Sequence, residues 1–186
     1  MPKLIIGLVG QSGSGKGTVA EILREKYGAA VFSFGGLLGD LLDQLAVPRT
    51  RENLVKLSEI VRHAFGESTL AYALERAAVG AETDIVAIEG IRRLDDIVAL
   101  EPLPYFKLAS ITTQPEIRFQ RMKQRGEKAG ERDMTWEQFI EQSKLPTELT
   151  IAAVEARATY KLDNSGSLEE LHAEIDRLME QFGIRV

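Results

Sequence analysis

Gly10-Gln11-Ser12-Gly13-Ser14-Gly15-Lys16-Gly17-Thr18 is the stretch whose residue types and spacing most directly imply chemistry. Its pattern is G-x-x-x-x-G-K, set between an apolar run and a helical one, which is the arrangement of a phosphate-binding loop. Gly10, Gly13 and Gly15 let backbone N–H groups, those of Ser12 and Ser14 among them, converge on phosphate oxygens with no Cβ in the way. A helix beginning near Lys16 points its positive dipole end at the anion. The Lys16 ammonium can follow the β- and γ-phosphates of a nucleotide. Gly17 stands where Ser or Thr usually follows the lysine, and Thr18 comes one residue later. Thr18 is then either the hydroxyl near Mg²⁺ or its waters, or a first-turn residue bonded to backbone.

Charged residues further along have the types that phosphoryl transfer uses. Ile88-Glu89-Gly90-Ile91-Arg92-Arg93 closes a second apolar run. A carboxylate at a strand end beside a phosphate loop, here Glu89, can hold Mg²⁺ through water. The plainer alternative is an ion pair with Arg92 or Arg93. Arg121 and Arg125 share one helix face at i, i+4 spacing. Arg132 follows in a polar loop. Phosphoryl transfer asks little covalent chemistry of a protein and depends on position and positive charge. A lid at that loop also excludes water and prevents wasteful ATP hydrolysis. The alternative for these arginines is a solvated basic face.

Ordered elements must position these groups. Residues 3–9 read as a buried strand: short, continuously apolar and ended by glycine. A helix is expected over 16–27, with Val19, Ile22, Leu23 and Tyr27 on one face. Further strands are expected over 31–34, 84–90, 105–111 and 159–164. Residues 36–46 and 50–80 read as mostly helical, broken near Pro48 and Gly66. Thr113 with Glu116 has the form of a capping box opening a helix over 115–125. Thr135 with Gln138 marks another helix start, and Ser167 with Glu170 caps a last helix carrying Leu168, Leu171, Ile175, Leu178 and Phe182. Residues 126–134 are polar with two glycines and read as a mobile loop. The alternation predicts an α/β fold of three layers, a five-stranded parallel sheet with helices on both faces. Ligands bind beyond the carboxyl ends of such strands, where the charged groups above lie.

Composition narrows the function. The chain has 186 residues, one domain's worth. Lys plus Arg is 23 against 28 Asp plus Glu, a net charge of −5, which argues against general nucleic-acid binding. The absence of cysteine excludes disulfides, thiolate metal sites and a Cys nucleophile. Two histidines, His63 and His172, make a His-rich zinc site improbable, and both read as helix-surface or packing residues. No apolar run approaches the ~20 residues of a membrane span. The run Leu4–Val9 is too short for a signal-peptide core. A soluble cytoplasmic protein without membrane partners is expected, its oligomeric state open. No Asn-Lys-x-Asp guanine motif is present.

The G-x-x-G-x-G-K-G-T form of the loop resembles the nucleoside monophosphate kinases, adenylate kinases above all. The likeness spans almost the whole chain, specific at the loop and moderately so later. The overall pattern is also similar to that of poorly characterised nucleotide-kinase-like proteins of archaea and bacteria. The resemblance implies a P-loop kinase fold with a small lid, using ATP and Mg²⁺ and a small nucleotide acceptor. It implies a core of 1–35, 81–125 and 158–186, acceptor-covering helices over about 36–80 and a lid over about 126–134. Adenylate kinases have an Asp-Gly-aromatic-Pro-Arg segment whose Arg grips the acceptor phosphate. Arg93 matches that Arg, Arg92 is its neighbour, and Glu89 replaces the Asp. An Arg-x-x-x-Arg similar to Arg121 and Arg125 precedes the lid of these kinases. It implies Arg121 against the adenine and Arg125 on the transferring phosphates, with Arg132 a third candidate. Asp163-Asn164-Ser165-Gly166-Ser167 resembles a segment near adenine in dephospho-coenzyme A kinases, which places Asn164 and Gly166 at the nucleotide; helix capping by Ser167 is the alternative.

The pattern departs from adenylate kinases after the second strand. Their Ser/Thr-Gly-Asp-x-x-Arg becomes Phe34-Gly35-Gly36-Leu37-Leu38-Gly39-Asp40. Gly36 stands for the Asp and Gly39 for the Arg, and glycine supplies neither charge nor contact. Asp40 is one turn on, and Arg49 and Arg51 precede the next helix; these are the replacement acceptor-binding candidates. Trp136 is expected to anchor the helix after the lid. The functional expectation is transfer of the γ-phosphoryl of ATP-Mg²⁺ to a nucleoside or deoxynucleoside monophosphate. The alternatives are a dephospho-coenzyme A kinase and, in another class, an ATP-binding switch or assembly factor with slow ATPase activity.

Overall fold

The computed structural model describes residues 1–126 and 131–184. The chain runs β1 (Leu4–Val9), α1 (Lys16–Tyr27), β2 (Ala30–Ser33), α2 (Phe34–Gln44), α3 (Arg51–Phe65), α4 (Thr69–Val79) and β3 (Ile85–Glu89). After a short 3-10 turn at Leu94–Asp96 come β4 (Phe106–Thr112), α5 (Pro115–Arg125), α6 (Trp136–Ser143), α7 (Pro146–Glu155), β5 (Tyr160–Asp163) and α8 (Leu168–Gln181). All the strand pairs are parallel, in the order β2-β3-β1-β4-β5. The expected five-stranded parallel sheet is therefore the fold.

Strand β1 is buried on both sides, as a central parallel strand must be. Its alternate side chains serve two cores. Leu4, Ile6 and Leu8 meet α1 and α8 through Leu23, Leu171 and Ile175. Ile5 and Val9 face the other layer, with Leu38 of α2, Leu74 of α4 and Ile151 of α7. Each fully buried aliphatic side chain is worth about 1.5–3 kcal/mol relative to exposure. The stripe expected on α8 buries Leu171, Ile175 and Leu178, packs Phe182 at the edge and leaves Leu168 exposed.

Element boundaries differ from expectation in physically clear places. Phe34 opens α2 instead of closing β2, because the Ser33 hydroxyl accepts from the Gly36 N–H at 2.8 Å and caps the helix. Thr113 and Glu116 do not form a capping box. Helix α5 starts with Pro115 after Gln114 and has no side-chain cap, and Pro needs none of its own N–H there. The Thr113 hydroxyl donates instead to the carbonyl of Ser14 at 3.0 Å. The boxes at Thr135/Gln138 and Ser167/Glu170 are present. Helix α7 was not anticipated; Pro146 opens it, and Ile151 and Val154 are buried on the sheet. Of the lid expected over 126–134, residues 127–130 lie outside the described residues. Trp136 does anchor α6: it stacks on Phe139 at 5.3 Å and meets the edge of Phe119 at 5.5 Å.

Candidate functional site

Two amides of the loop after β1 are turned inward because the carbonyls of Ser12 and Ser14 are held by side chains of later elements. The Ser14 carbonyl accepts from Thr113 at 3.0 Å and from the Asn164 side-chain amide at 2.9 Å. The Ser12 carbonyl accepts from Arg118 at 3.2 Å. In a trans peptide, C=O and N–H point oppositely, so these bonds turn the N–H groups of Gly13 and Gly15 away from α5 and β5. Gly15 must be glycine. Its φ is +93°, and a Cβ there would stand 2.0 Å from the Asn164 amide nitrogen. It is also the N-cap of α1 with no side-chain cap, which leaves the first amides of that helix for a ligand.

A cleft of about 940 Å³ opens over this loop. Lys16 lies at its floor, its ammonium donating to the carbonyls of Gly10 at 2.7 Å and Gln11 at 3.1 Å. Burial and then the charge of Arg92 pull the Lys16 pKa down to about 8, against the opposing pull of Glu89, Glu148 and Glu155. Glu89, at the end of β3, is pushed above the usual carboxyl range by burial, with Lys16 and Arg24 opposing. Two adjacent cations and a half-buried carboxylate thus share the space in front of the loop. One Nη of Arg121 is buried with no hydrogen-bond acceptor among the described residues, and it lies 3.7 Å from the Cβ position of Gly15. An orphaned guanidinium donor beside an amide cradle calls for an anionic or carbonyl ligand.

The cleft is lined by the loop without Gln11 and Ser14, by Thr18, Glu89, Arg92, Arg121, Arg125 and, from α3, Arg51. Ser14, expected at the phosphates, is buried, with its N–H donating to the Gln11 carbonyl at 3.2 Å. Arg125 meets Glu131 at 3.4 Å. The other expected residues are elsewhere. Arg93 turns to Glu67 at 3.0 Å on the surface. Arg132 packs over Gly126, whose Cβ would stand 2.4 Å from its Nε. Asn164 is buried as a prop of the loop. Gly166 lies beside the Ser167/Glu170 cap, whose Glu170 carboxylate leaves no room for a Cβ there. Arg49 is held by Asp40 at 2.7 Å and by Asp43, and those carboxylates push its pKa up further. Its guanidinium lies against Gly39, 2.9 Å from where a Cβ would stand. Arg49 thus fills the space beside Gly39 with its charge engaged by Asp40 and Asp43, outside the cleft lining.

Sequence reasoning passed over Arg118, buried with one donor on the loop, and Glu148, which lines the cleft from α7. Arg118 lies on α5 outside the Arg-x-x-x-Arg pair, and Glu148 lies on α7, whose polar residues carry no motif. The i, i+3 offset of Arg118 from Arg121 was the available signal, and it reads equally as a basic face. The residues present fit a magnesium ion. Thr18 and Glu89 offer hydroxyl and carboxylate oxygens in one cleft. Gly17 lies between them and the loop, and a Cβ there would come 3.8 Å from a Glu89 oxygen. Among the described residues no cluster of three or more His, Cys, Asp or Glu forms a dedicated all-protein metal site.

The AAA domain family model matches residues 9–140. A UPF0200 protein of Hyperthermus butylicus is 30% identical over 179 residues, covering 96% of this chain and 95% of its own. A UPF0200 protein of Thermococcus kodakarensis is 31% identical over 183 residues, covering 96% and 97%. Among solved structures, shikimate kinase from Bacteroides thetaiotaomicron superposes with a TM-score of 0.65 at 12% identity, over 97% of this chain and 99% of its own. That likeness is one of fold. No helix among the described residues is long and apolar enough to cross a membrane.

Proposed function

The chain belongs to the UPF0200 family and carries an AAA-type P-loop domain, and from that premise we propose that it is an ATP-dependent phosphotransferase acting on a nucleoside or deoxynucleoside monophosphate. The observation that carries the proposal is the convergence of Lys16, Arg92, Arg121 and Arg125 with Glu89 and Thr18 on one cleft over the phosphate loop.

The chain's own groups divide the work. The loop amides and the α1 N-terminus hold the β- and γ-phosphates. Lys16 leaves the Gly10 and Gln11 carbonyls and moves its ammonium onto the phosphate oxygens. Arg121 closes against the nucleotide from α5, and Arg125 offers charge where the γ-phosphoryl travels. Arg92 and Arg51 approach from the β3 and α3 side and draw in the acceptor phosphate. Magnesium held near Thr18 and Glu89 supplies neutralisation of the charge that develops on the phosphates.

A monophosphate acceptor brings its own ionised oxygen as nucleophile and needs no general base. A hydroxyl acceptor, as in a dephospho-coenzyme A kinase, needs one. Position 36 is glycine, and Asp40 is bound to Arg49 away from the cleft. The monophosphate is therefore favoured. The test is ADP release with Mg²⁺-ATP and a panel of nucleoside and deoxynucleoside monophosphates, with dephospho-coenzyme A and shikimate alongside. At least one monophosphate is expected to accelerate release well above the water background. Acceleration only by a hydroxyl compound moves the activity to that class. No acceleration by any compound, with ATP still bound, leaves the ATP-binding switch.

A further inference from the structure

Arg118 belongs to no recognised motif and does not open onto the cleft, yet the chain keeps a guanidinium almost fully buried there. Burying such a cation costs several kcal/mol unless its surroundings answer it. Four observations describe those surroundings. Its Nη1 donates to the Ser12 carbonyl at 3.2 Å. Its guanidinium carbon lies 5.1 Å from the centre of the Phe139 ring on α6. Its own backbone carbonyl would lie 2.8 Å from a Cβ on Gly13, so α5 and the loop touch with nothing between them. Its Nε is buried without an acceptor among the described residues. Burial pulls its pKa down, while Glu148 and Glu155 of α7, and Glu116 of α5, pull it up. An apolar side chain of like volume would fill this space without the desolvation cost. What it cannot do is hold the Ser12 carbonyl.

We propose that Arg118 is a positioning residue that sets the shape of the phosphate loop and couples it to helix α6. The relation rests on the loop holding a nucleotide polyphosphate, as set out above. Ser12 and Ser14 are the two loop residues whose carbonyls are pulled outward by side chains from later elements. The Ser14 carbonyl accepts from the Asn164 amide and also lies within reach of the Thr113 hydroxyl, whose one proton is shared with the Thr112 and Asn164 carbonyls. Holding the Ser12 carbonyl outward turns the Gly13 N–H inward, through the rigidity of one peptide plane. The Phe139 ring lies under the same guanidinium, and Trp136 and Phe119 pack around that ring. A shift of α6 is therefore felt at the loop through one side chain.

Calorimetric titration with Mg²⁺-ATP and with magnesium tripolyphosphate tests this on the full chain, its Arg118→Lys and Phe139→Leu variants and the double variant. Lysine keeps the charge but loses the planar fork and the stacking face. Arg118→Lys is expected to weaken both ligands about tenfold, the size of one charge-assisted hydrogen bond, with the thermal midpoint of the ligand-free protein nearly unchanged. Phe139→Leu is expected to weaken them less. The double variant is expected to be no worse than Arg118→Lys, because both act through one guanidinium. In slow ATP hydrolysis the loss falls on KM more than on kcat. Wild-type affinity in Arg118→Lys, or losses that simply add in the double variant, overturns the proposal. Should Arg118→Lys not fold, Phe139→Leu decides, and unchanged affinity there overturns the coupling. A wild type that binds neither ligand sinks the phosphotransferase reading itself, whereas a binding wild type with indifferent variants sinks only the role of Arg118.

Discussion

Arg62 of α3 meets Asp96 of the turn after β3 at 2.6 Å, with both side chains almost fully buried. The second Asp96 oxygen accepts from the backbone N–H groups of Arg92 and Arg93 at 2.9 and 3.0 Å. One carboxylate thus fastens α3 to the segment that carries Arg92 into the cleft. Both of its oxygens are hydrogen-bonded, which is the condition under which a buried ion pair is tolerated.

Removing Asp96 strips an acceptor from two amides and leaves Arg62 buried without its anion. Asp96→Ala is expected to lower stability by about 3–5 kcal/mol, read from urea unfolding. Arg62→Met on that background is expected to recover part of the loss, because the uncompensated cation goes with it. A loss under about 1 kcal/mol, the level of an exposed pair, contradicts the account.

Lys16 gives a prediction in pH. Its pKa is about 8, lowered first by burial and then by Arg92. Phosphates brought to the ammonium raise that pKa, so binding of Mg²⁺-ATP above pH 8 takes up a proton. Affinity is expected to fall as pH rises through about 8 and to hold level below it, and the binding heat at pH 8.5 is expected to vary with the buffer's ionisation enthalpy. The sign for stability follows from the same shift. The unfolded chain binds the proton more tightly, so the Lys16 cost is full below about 8 and fades towards 10.5, its ordinary value. A heat independent of buffer, or Lys16→Ala binding and turning over as the wild type does, removes Lys16 from the site.

Much of this was legible in the sequence, and what was not has physical reasons. Strand β1, the loop and α1 were legible because apolar run, glycines and helical stripe agree locally. Arg121 and Arg125 were legible because i, i+4 spacing fixes a shared face wherever the helix lies. Arg93 against Arg92 was not. Adjacent residues after a strand point apart, and the 3-10 turn capped by Asp96 decides which one meets the cleft. Asn164 was placed near the nucleotide by its segment, but its amide is spent on the Ser14 carbonyl, a contact 150 residues apart in the chain. Arg49 reaching back over Gly39 is a tertiary contact that no linear motif records.

The two cleft arginines of α5 are expected to separate in kinetics. Arg121 has an orphaned Nη against the loop. Arg121→Ala is therefore expected to raise the Kd for ATP, with a smaller change in kcat. Arg125 lies one turn on, beside Glu131. Arg125→Ala is expected to lower kcat about 10²–10³-fold, as loss of a transition-state donor does, with little change in ATP affinity. Steady-state kinetics with the best acceptor and direct binding measurements read the two separately. An Arg125→Ala effect confined to KM counts against its transition-state role.

Glu89 is expected to trade stability for metal binding. Burial raises its pKa, so its ionised form costs folding free energy above that pKa, offset in part by Lys16. Glu89→Gln keeps the shape and removes the charge. The thermal midpoint is then expected to stay level or rise slightly at pH 7. The gain in ATP affinity on adding magnesium, read by titration at fixed ATP, is expected to shrink, because an amide oxygen is a poorer partner for Mg²⁺ or its waters than a carboxylate. The two readouts separate the roles open to this residue. A drop in midpoint with an unchanged magnesium response marks Glu89 as an ion-pair partner of Lys16 and nothing more. A level midpoint with a flattened magnesium response marks it as part of the metal's surroundings.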